Sequence, residues 1–162
     1  MSNKFEPKNG EVLFFIGQDL EAVGGLENYN EGYLDTFNIP VGVTAYTNLS
    51  PGDYSFGYAI KGLDGTKNKA NWGAGDTCLQ YYVDDPKFKN TMIAIGLSMV
   101  NHEKNVAKGK HDRYITTLGE WIKNLKRPVF LRIGYEFDGW DWNNYKKKHF
   151  LKKWSISLKT AI

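Results

Sequence analysis

The chain has 162 residues, 41% hydrophobic and 24% charged, which is enough for one hydrophobic core and too apolar for a disordered polymer. A single cysteine, Cys78, excludes an intrachain disulfide framework, and no CxxC or clustered Cys/His set suggests a zinc site. The net charge of +3 is too small to indicate a nucleic-acid binder, and no run approaches 18 apolar residues, so no segment reads as a membrane span. The opening MSNKFEPKNGE carries acids and polar residues where a signal peptide would be apolar. The unusual number is 15% aromatic, with five Trp and ten Tyr, which suits either a large core or a surface that stacks flat ligands.

Residues 12–17, 40–47, 92–100 and 128–135 read as strands, rich in Val, Ile, Phe or Tyr and bounded by Gly, Pro, Asn or Asp. None alternates cleanly, so strands covered on both faces are expected. A helix is expected over 20–37, weakened by Gly24, Gly25 and Gly32. The stretch from 48 to about 90 is glycine-rich with little helical pattern, and a loop that long is usually functional or mobile. Tyr114, Leu118, Trp121, Ile122 and Leu125 space out one face of a helix over 112–125, with Asp112 as its N-cap and Pro128 beyond its end. A last helix over 145–158 would place Phe150, Leu151, Trp154 and Leu158 on one face.

Charge is uneven. Residues 143–162 hold six lysines and no acid, leaving 15 basic and 18 acidic groups in the first 142. A solvated helix face, a polyanion-binding tail, and an altered or truncated end are the three readings of that segment, and the first 10 residues read as a flexible start.

Alternating strands and helices indicate an α/β fold with a parallel sheet. An open doubly wound sheet and a (β/α)8 barrel share the pattern locally, and both gather functional residues beyond the strand C-termini. Those positions here are Gly17-Gln18-Asp19, Tyr46-Thr47-Asn48, Asn101-His102-Glu103 and EFDGWDWN (136–143). In the last of them a carboxylate leaves a buried strand and is followed by two tryptophans and two more acids. Glycosidic cleavage needs a carboxylic acid to protonate the departing oxygen and a carboxylate across the sugar, while indole faces stack on sugar C–H faces. Glu136, between Tyr135 and Phe137, is the candidate acid, expected to be partly buried so that desolvation favours its protonated form. Trp72, Trp140 and Trp142, with Asp138, Asn143 and Asn144, are candidate sugar contacts.

Ordinary roles compete with these. A Glu after a strand is more often a surface or capping residue, and tryptophans beside loops are usually packing. NWGAGDT (71–77) lacks the GKS/T or GxGxxG setting of a phosphate cradle. His102 and His111, without a third partner, read as neutral surface or capping residues rather than metal ligands. Cys78 reads as a buried small residue. No cofactor and no metal are expected.

RPVFLRIGYEFDGWDWNNY (127–145) resembles the fourth strand of glycoside hydrolase family 26, and IGQD (16–19), IPVGVTAYTNL (39–49) and NWGAGDT (71–77) are similar to its earlier segments in the same order. The branch it resembles is the xylanase-like one, including the β-1,3-xylanases, since Tyr135 stands where mannanases carry His. The resemblance implies a retaining endo-glycanase with a (β/α)8 barrel, of which this chain would be the N-terminal half, about four βα units, as one partial catalytic domain. It implies Glu136 as acid/base, with Tyr46, Trp72, Asp76, Tyr135, Trp140 and Trp142 lining the cleft, Arg132 in the barrel interior, and no metal. The nucleophile, a Glu ending strand seven, has no counterpart in this sequence. A polysaccharide or oligosaccharide is the implied partner, with neither nucleic acid nor membrane. A second copy or a missing C-terminal half is expected to complete the fold. Family members are usually exported, which sets the expected compartment without fixing it. A non-catalytic carbohydrate-binding module and an open α/β domain with unrelated ligands are the competing readings.

Overall fold

The structure is a computed structural model that describes residues 6–55, 57–136, 139 and 145. Its elements are β1 (Phe15–Gly17), α1 (Leu20–Val23), α2 (Tyr33–Thr36), β2 (Gly42–Asn48), β3 (Tyr54–Ser55), β4 (Tyr58–Ala59), β5 (Ala70–Asn71), β6 (Asp76–Thr77), α3 (Leu79–Asp84), a 3-10 turn (Pro86–Phe88), β7 (Met92–Ser98), α4 (Glu103–Ala107), α5 (Asp112–Leu125) and β8 (Val129–Ile133). β1, β2, β7 and β8 form one parallel sheet in that order, so strands that follow one another along the main chain path are neighbours in space. β3 pairs with β4, and β5 with β6, as small antiparallel hairpins between β2 and β7.

The register explains which face is the core. Val43 lies beside Ile93 and Ile93 beside Val129; Ala45 lies beside Ile95 and Ile95 beside Leu131. Val43, Ile93 and Ile95 are fully buried and cluster with Leu20 and Val23 of α1, Leu79 and Tyr82 of α3, and Leu118 and Trp121 of α5. The alternate residues, Thr44, Tyr46, Ala94, Phe130 and Arg132, are half-buried or exposed. Burial on both faces was expected, but among the described residues of these strands the second face is buried only at glycines such as Gly42 and Gly96. The second face misleads because it is not polar: it is small in the middle (Gly42, Thr44, Ala94, Gly96) and aromatic around it. Phe15 and Phe130 meet edge-on at 5.5 Å, and a β-carbon on Gly42 would lie 2.1 Å from the Phe15 ring.

The expected helix over 20–37 is two separate single turns. Asp19 caps the first, accepting from the Ala22 amide at 2.6 Å. Gly24 then takes φ +69°, and a β-carbon there would sit 1.8 Å from the Glu31 carbonyl, so the chain folds back on itself where a helix would continue. The stretch expected to lack helix contains α3, and α4 follows β7. Both are short, and neither Cys78 nor His102 at their N-caps makes a side-chain capping bond. α5 runs as expected, with His111 rather than Asp112 at its N-cap position and Lys126 in left-handed conformation at its end. The Trp121 indole N–H donates to Gln80 Oε1 at 2.7 Å, tying α5 to α3. Cys78 is buried, which pushes its thiol up. Among the described residues no helix is long and apolar enough to cross a membrane. The helix expected over 145–158 lies outside the described residues except for Tyr145, whose hydroxyl accepts from the Met99 amide at 3.0 Å.

Candidate active site

All four sheet strands point the same way, so their C-terminal ends share one edge of the molecule. Tyr46 stands near the end of β2, opposite Gly96 of β7, which in turn pairs with Arg132 of β8. Trp72 comes in from the turn of the β5–β6 hairpin, and Tyr135 from the residues just past β8. Their rings form a row. Trp72 lies 4.8 Å from Tyr46, and Tyr46 lies 5.4 Å from Tyr135 with planes 13° apart. Tyr58 meets Trp72 edge-on at 6.1 Å. Three predicted contact residues from distant parts of the sequence are therefore in one row, packed against each other.

Polar groups flank the row. The Tyr135 hydroxyl donates to Gln18 Oε1 at 3.3 Å, and the Arg132 guanidinium lies 5.3 Å from the Tyr135 ring centre. Burial pushes the Tyr135 hydroxyl up to about 12, with the Glu136 charge and a hydrogen bond to it adding to the rise. Burial also raises the Tyr46 hydroxyl, helped by the negative charges of Glu136 and Asp19. Both phenols stay protonated at neutral pH and offer donors among carboxylates.

Glu136 is exposed, where partial burial was expected. β8 is an edge strand of the described sheet, and past it the Tyr135 ring takes the place on the sheet. Glu136 follows in left-handed backbone, φ +49°, which turns it outward.

Asp76 reaches the same edge but is engaged elsewhere. Its Oδ2 accepts from the Tyr29 hydroxyl at 2.6 Å and from Lys69 Nζ at 2.8 Å, and its Oδ1 accepts from Asn71 Nδ2 at 2.9 Å. These donors hold its carboxyl at about 2, the Lys69 ammonium contributing most. Its amide donates to Glu21 Oε2 at 3.0 Å. Asp76 thus locks the hairpin that carries Trp72 onto the β1–α1 region. Arg132 lies on the sheet face opposite the buried cluster and is exposed. Trp140 and Trp142, with Asp138, Asn143 and Asn144, lie outside the described residues.

Sequence reasoning missed Gln18 as an anchor of the aromatic row, although IGQD had marked the segment. The histidines do stand at the N-cap positions of α4 and α5, but neither makes a side-chain capping bond, His111 is buried rather than at the surface, and their meeting was missed. His102 Nε2 lies 2.8 Å from Asp53 Oδ2, and His102 Nδ1 lies 2.9 Å from Nε2 of buried His111. The cause is a loop–helix contact spanning 49 residues, which no local spacing reveals. Among the described residues no group of three or more His, Cys, Asp or Glu side chains is arranged to hold a metal ion.

No family model matches the chain. It is 32% identical over 145 residues to a beta-1,3-xylanase of an Alcaligenes species, covering 90% of this chain and 26% of that protein. It is 30% identical over 145 residues to a beta-1,3-xylanase of a Vibrio species, covering 90% of this chain and 27% of the relative. The chain therefore spans about a quarter of the length of the curated relatives it matches.

Proposed function

We propose that this chain carries the acid/base part of the catalytic domain of a retaining, xylan-acting glycoside hydrolase of the family 26 type, with β-1,3-xylan as the substrate class. The observation that carries the reading is the aromatic row Trp72–Tyr46–Tyr135 at the C-terminal edge of a parallel sheet, with the carboxylate of Glu136 next in the chain. Similarity to two proteins named beta-1,3-xylanase supports the substrate class. The sheet order supports the first half of a (β/α)8 barrel, because a doubly wound sheet reverses its strand order at a switch point and this sheet does not. Small and aromatic residues on the second face suit side-chain layers inside a barrel.

In this reading Glu136 protonates the departing glycosidic oxygen and later takes a proton from the incoming water. The nucleophilic carboxylate, about 5–5.5 Å away in a retaining enzyme, belongs to a part of the domain that this chain does not include. Glu136 is exposed, so the desolvation that favours a general acid must come from the bound sugar and from the rest of the domain. A fluorescence titration with β-1,3-xylo-oligosaccharides tests the reading. It predicts saturable, weak tryptophan quenching. Trp140→Ala should weaken binding about fivefold, the equivalent of about 1 kcal/mol for one lost stacking contact. No quenching, or the same curve for the variant, contradicts it.

A further inference from the structure

We infer that Tyr135 is a positioning residue: its ring, seated over Gly96 between Tyr46 and Arg132, fixes the left-handed backbone of residue 136 and so aims the Glu136 carboxylate. The inference rests on the glycosidase reading above, and it departs from a direct sugar-contacting role for Tyr135.

The seat is defined on four sides. Below it is Gly96, where a β-carbon would lie 2.5 Å from Tyr135 Cδ2 and 3.0 Å from Cγ, so any larger residue would push the ring off the sheet. One flank is the Tyr46 ring at 5.4 Å, nearly parallel. The Arg132 guanidinium approaches the ring to 5.3 Å. The hydroxyl at the far end donates to Gln18 Oε1 of the β1–α1 connection. The half-buried ring has Tyr46 stacked beside it, the Arg132 guanidinium over it and its hydroxyl engaged, which is why positioning fits it better than stacking.

The backbone around it is equally constrained. The amides of Gly134 and Tyr135 both donate to the Leu97 carbonyl, at 3.0 and 3.2 Å, which ends the strand at one point. Glu136 then adopts φ +49°, a region that residues with a β-carbon seldom occupy unless their surroundings impose it. Its carbonyl accepts from the Gly139 amide at 2.8 Å. With ring and amide of residue 135 both held, the direction in which residue 136 leaves the sheet is set. Gly96 itself sits in β7 with ordinary strand backbone, so Gly96→Ala acts through the ring rather than through its own conformation.

The test is NMR on the full chain, reading the backbone signals of residue 136 (assigned with Glu136→Gln) and the Tyr135 ring signals. Gly96→Ala should shift the Tyr135 ring signals and remove the left-handed signature at residue 136. Gly119→Ala, on α5 with nothing within 4 Å of its added methyl, should change neither. Should Gly96→Ala fail to fold, Tyr135→Ala removes the ring while keeping the backbone amide that donates to Leu97, and should remove the left-handed signature at residue 136. A displaced Tyr135 ring with an unchanged residue 136 overturns the inference, as do wild-type residue 136 signals in Tyr135→Ala. Adding β-1,3-xylo-oligosaccharide to the wild type separates the two claims. A response at residue 136 supports both. Its absence, with Gly96→Ala behaving as expected, overturns the glycosidase reading and upholds the seat.

Discussion

Removing the Asp76 carboxylate should destabilise the fold in a pH-dependent way. Asp76 accepts from Tyr29, Lys69 and Asn71, and its side chain is only 20% exposed. A carboxyl at 3.8 in the unfolded chain and about 2 in the folded one contributes roughly 2 kcal/mol at neutral pH. Lys69 is 49% exposed, so its ion pair is screened and the measured value should fall below that, nearer 1–2 kcal/mol. The sign follows from the depressed pKa. The contribution is complete above about pH 4, falls to about half by pH 3, and disappears as pH drops through 2. Asp76→Asn should therefore unfold at lower urea concentration than wild type at pH 7, with the gap narrowing as pH falls below 4. Equal midpoints at pH 7, or a gap that does not change with pH, would refute the lock.

Other perturbations have equally definite outcomes. Ile95→Ala, at a fully buried position between β2 and β8, should cost about 3 kcal/mol in urea denaturation, within the usual range for such truncations. Gly119→Ala should raise stability by about 0.5–1 kcal/mol in the same assay, because α5 gains helix propensity without a clash. His102→Ala removes the bridge between Asp53 and His111, so the Ile60 amide, which donates to the Asp53 carbonyl at 2.8 Å, should exchange with deuterium faster. Unchanged exchange at Ile60 would show that the histidines do not hold the hairpin.

The sequence made some features legible because they are local. Apolar runs marked all four sheet strands, and the spacing of Leu118, Trp121 and Leu125 marked α5. The rule that function gathers beyond parallel strands singled out Tyr46, and the family resemblance singled out Tyr135. The misses have physical causes. α3 and α4 span six and five residues, shorter than a periodic pattern needs, and neither has a capping side chain to announce it. Asp76 was noticed as a cleft residue, but its engagement by Tyr29 depends on a pairing across 47 positions. The exposure of Glu136 depends on what packs over an edge strand, which the residues beside it in sequence do not encode. Gly96 did leave a signal: a glycine inside the apolar run MIAIGLSMV marks a place where another group approaches the backbone closely.

The most direct test of the central claim, that Glu136 is a glycosidic acid/base, is reducing-sugar release from β-1,3-xylan by a chimaera. In it, residues of this chain replace the matching 145-residue segment of the Alcaligenes beta-1,3-xylanase, which supplies the remainder of the domain. The account predicts an active chimaera that loses at least about a hundredfold of its activity with Glu136→Gln, the usual contribution of a positioned general acid. A chimaera that hydrolyses xylan equally well with Glu136→Gln would contradict it.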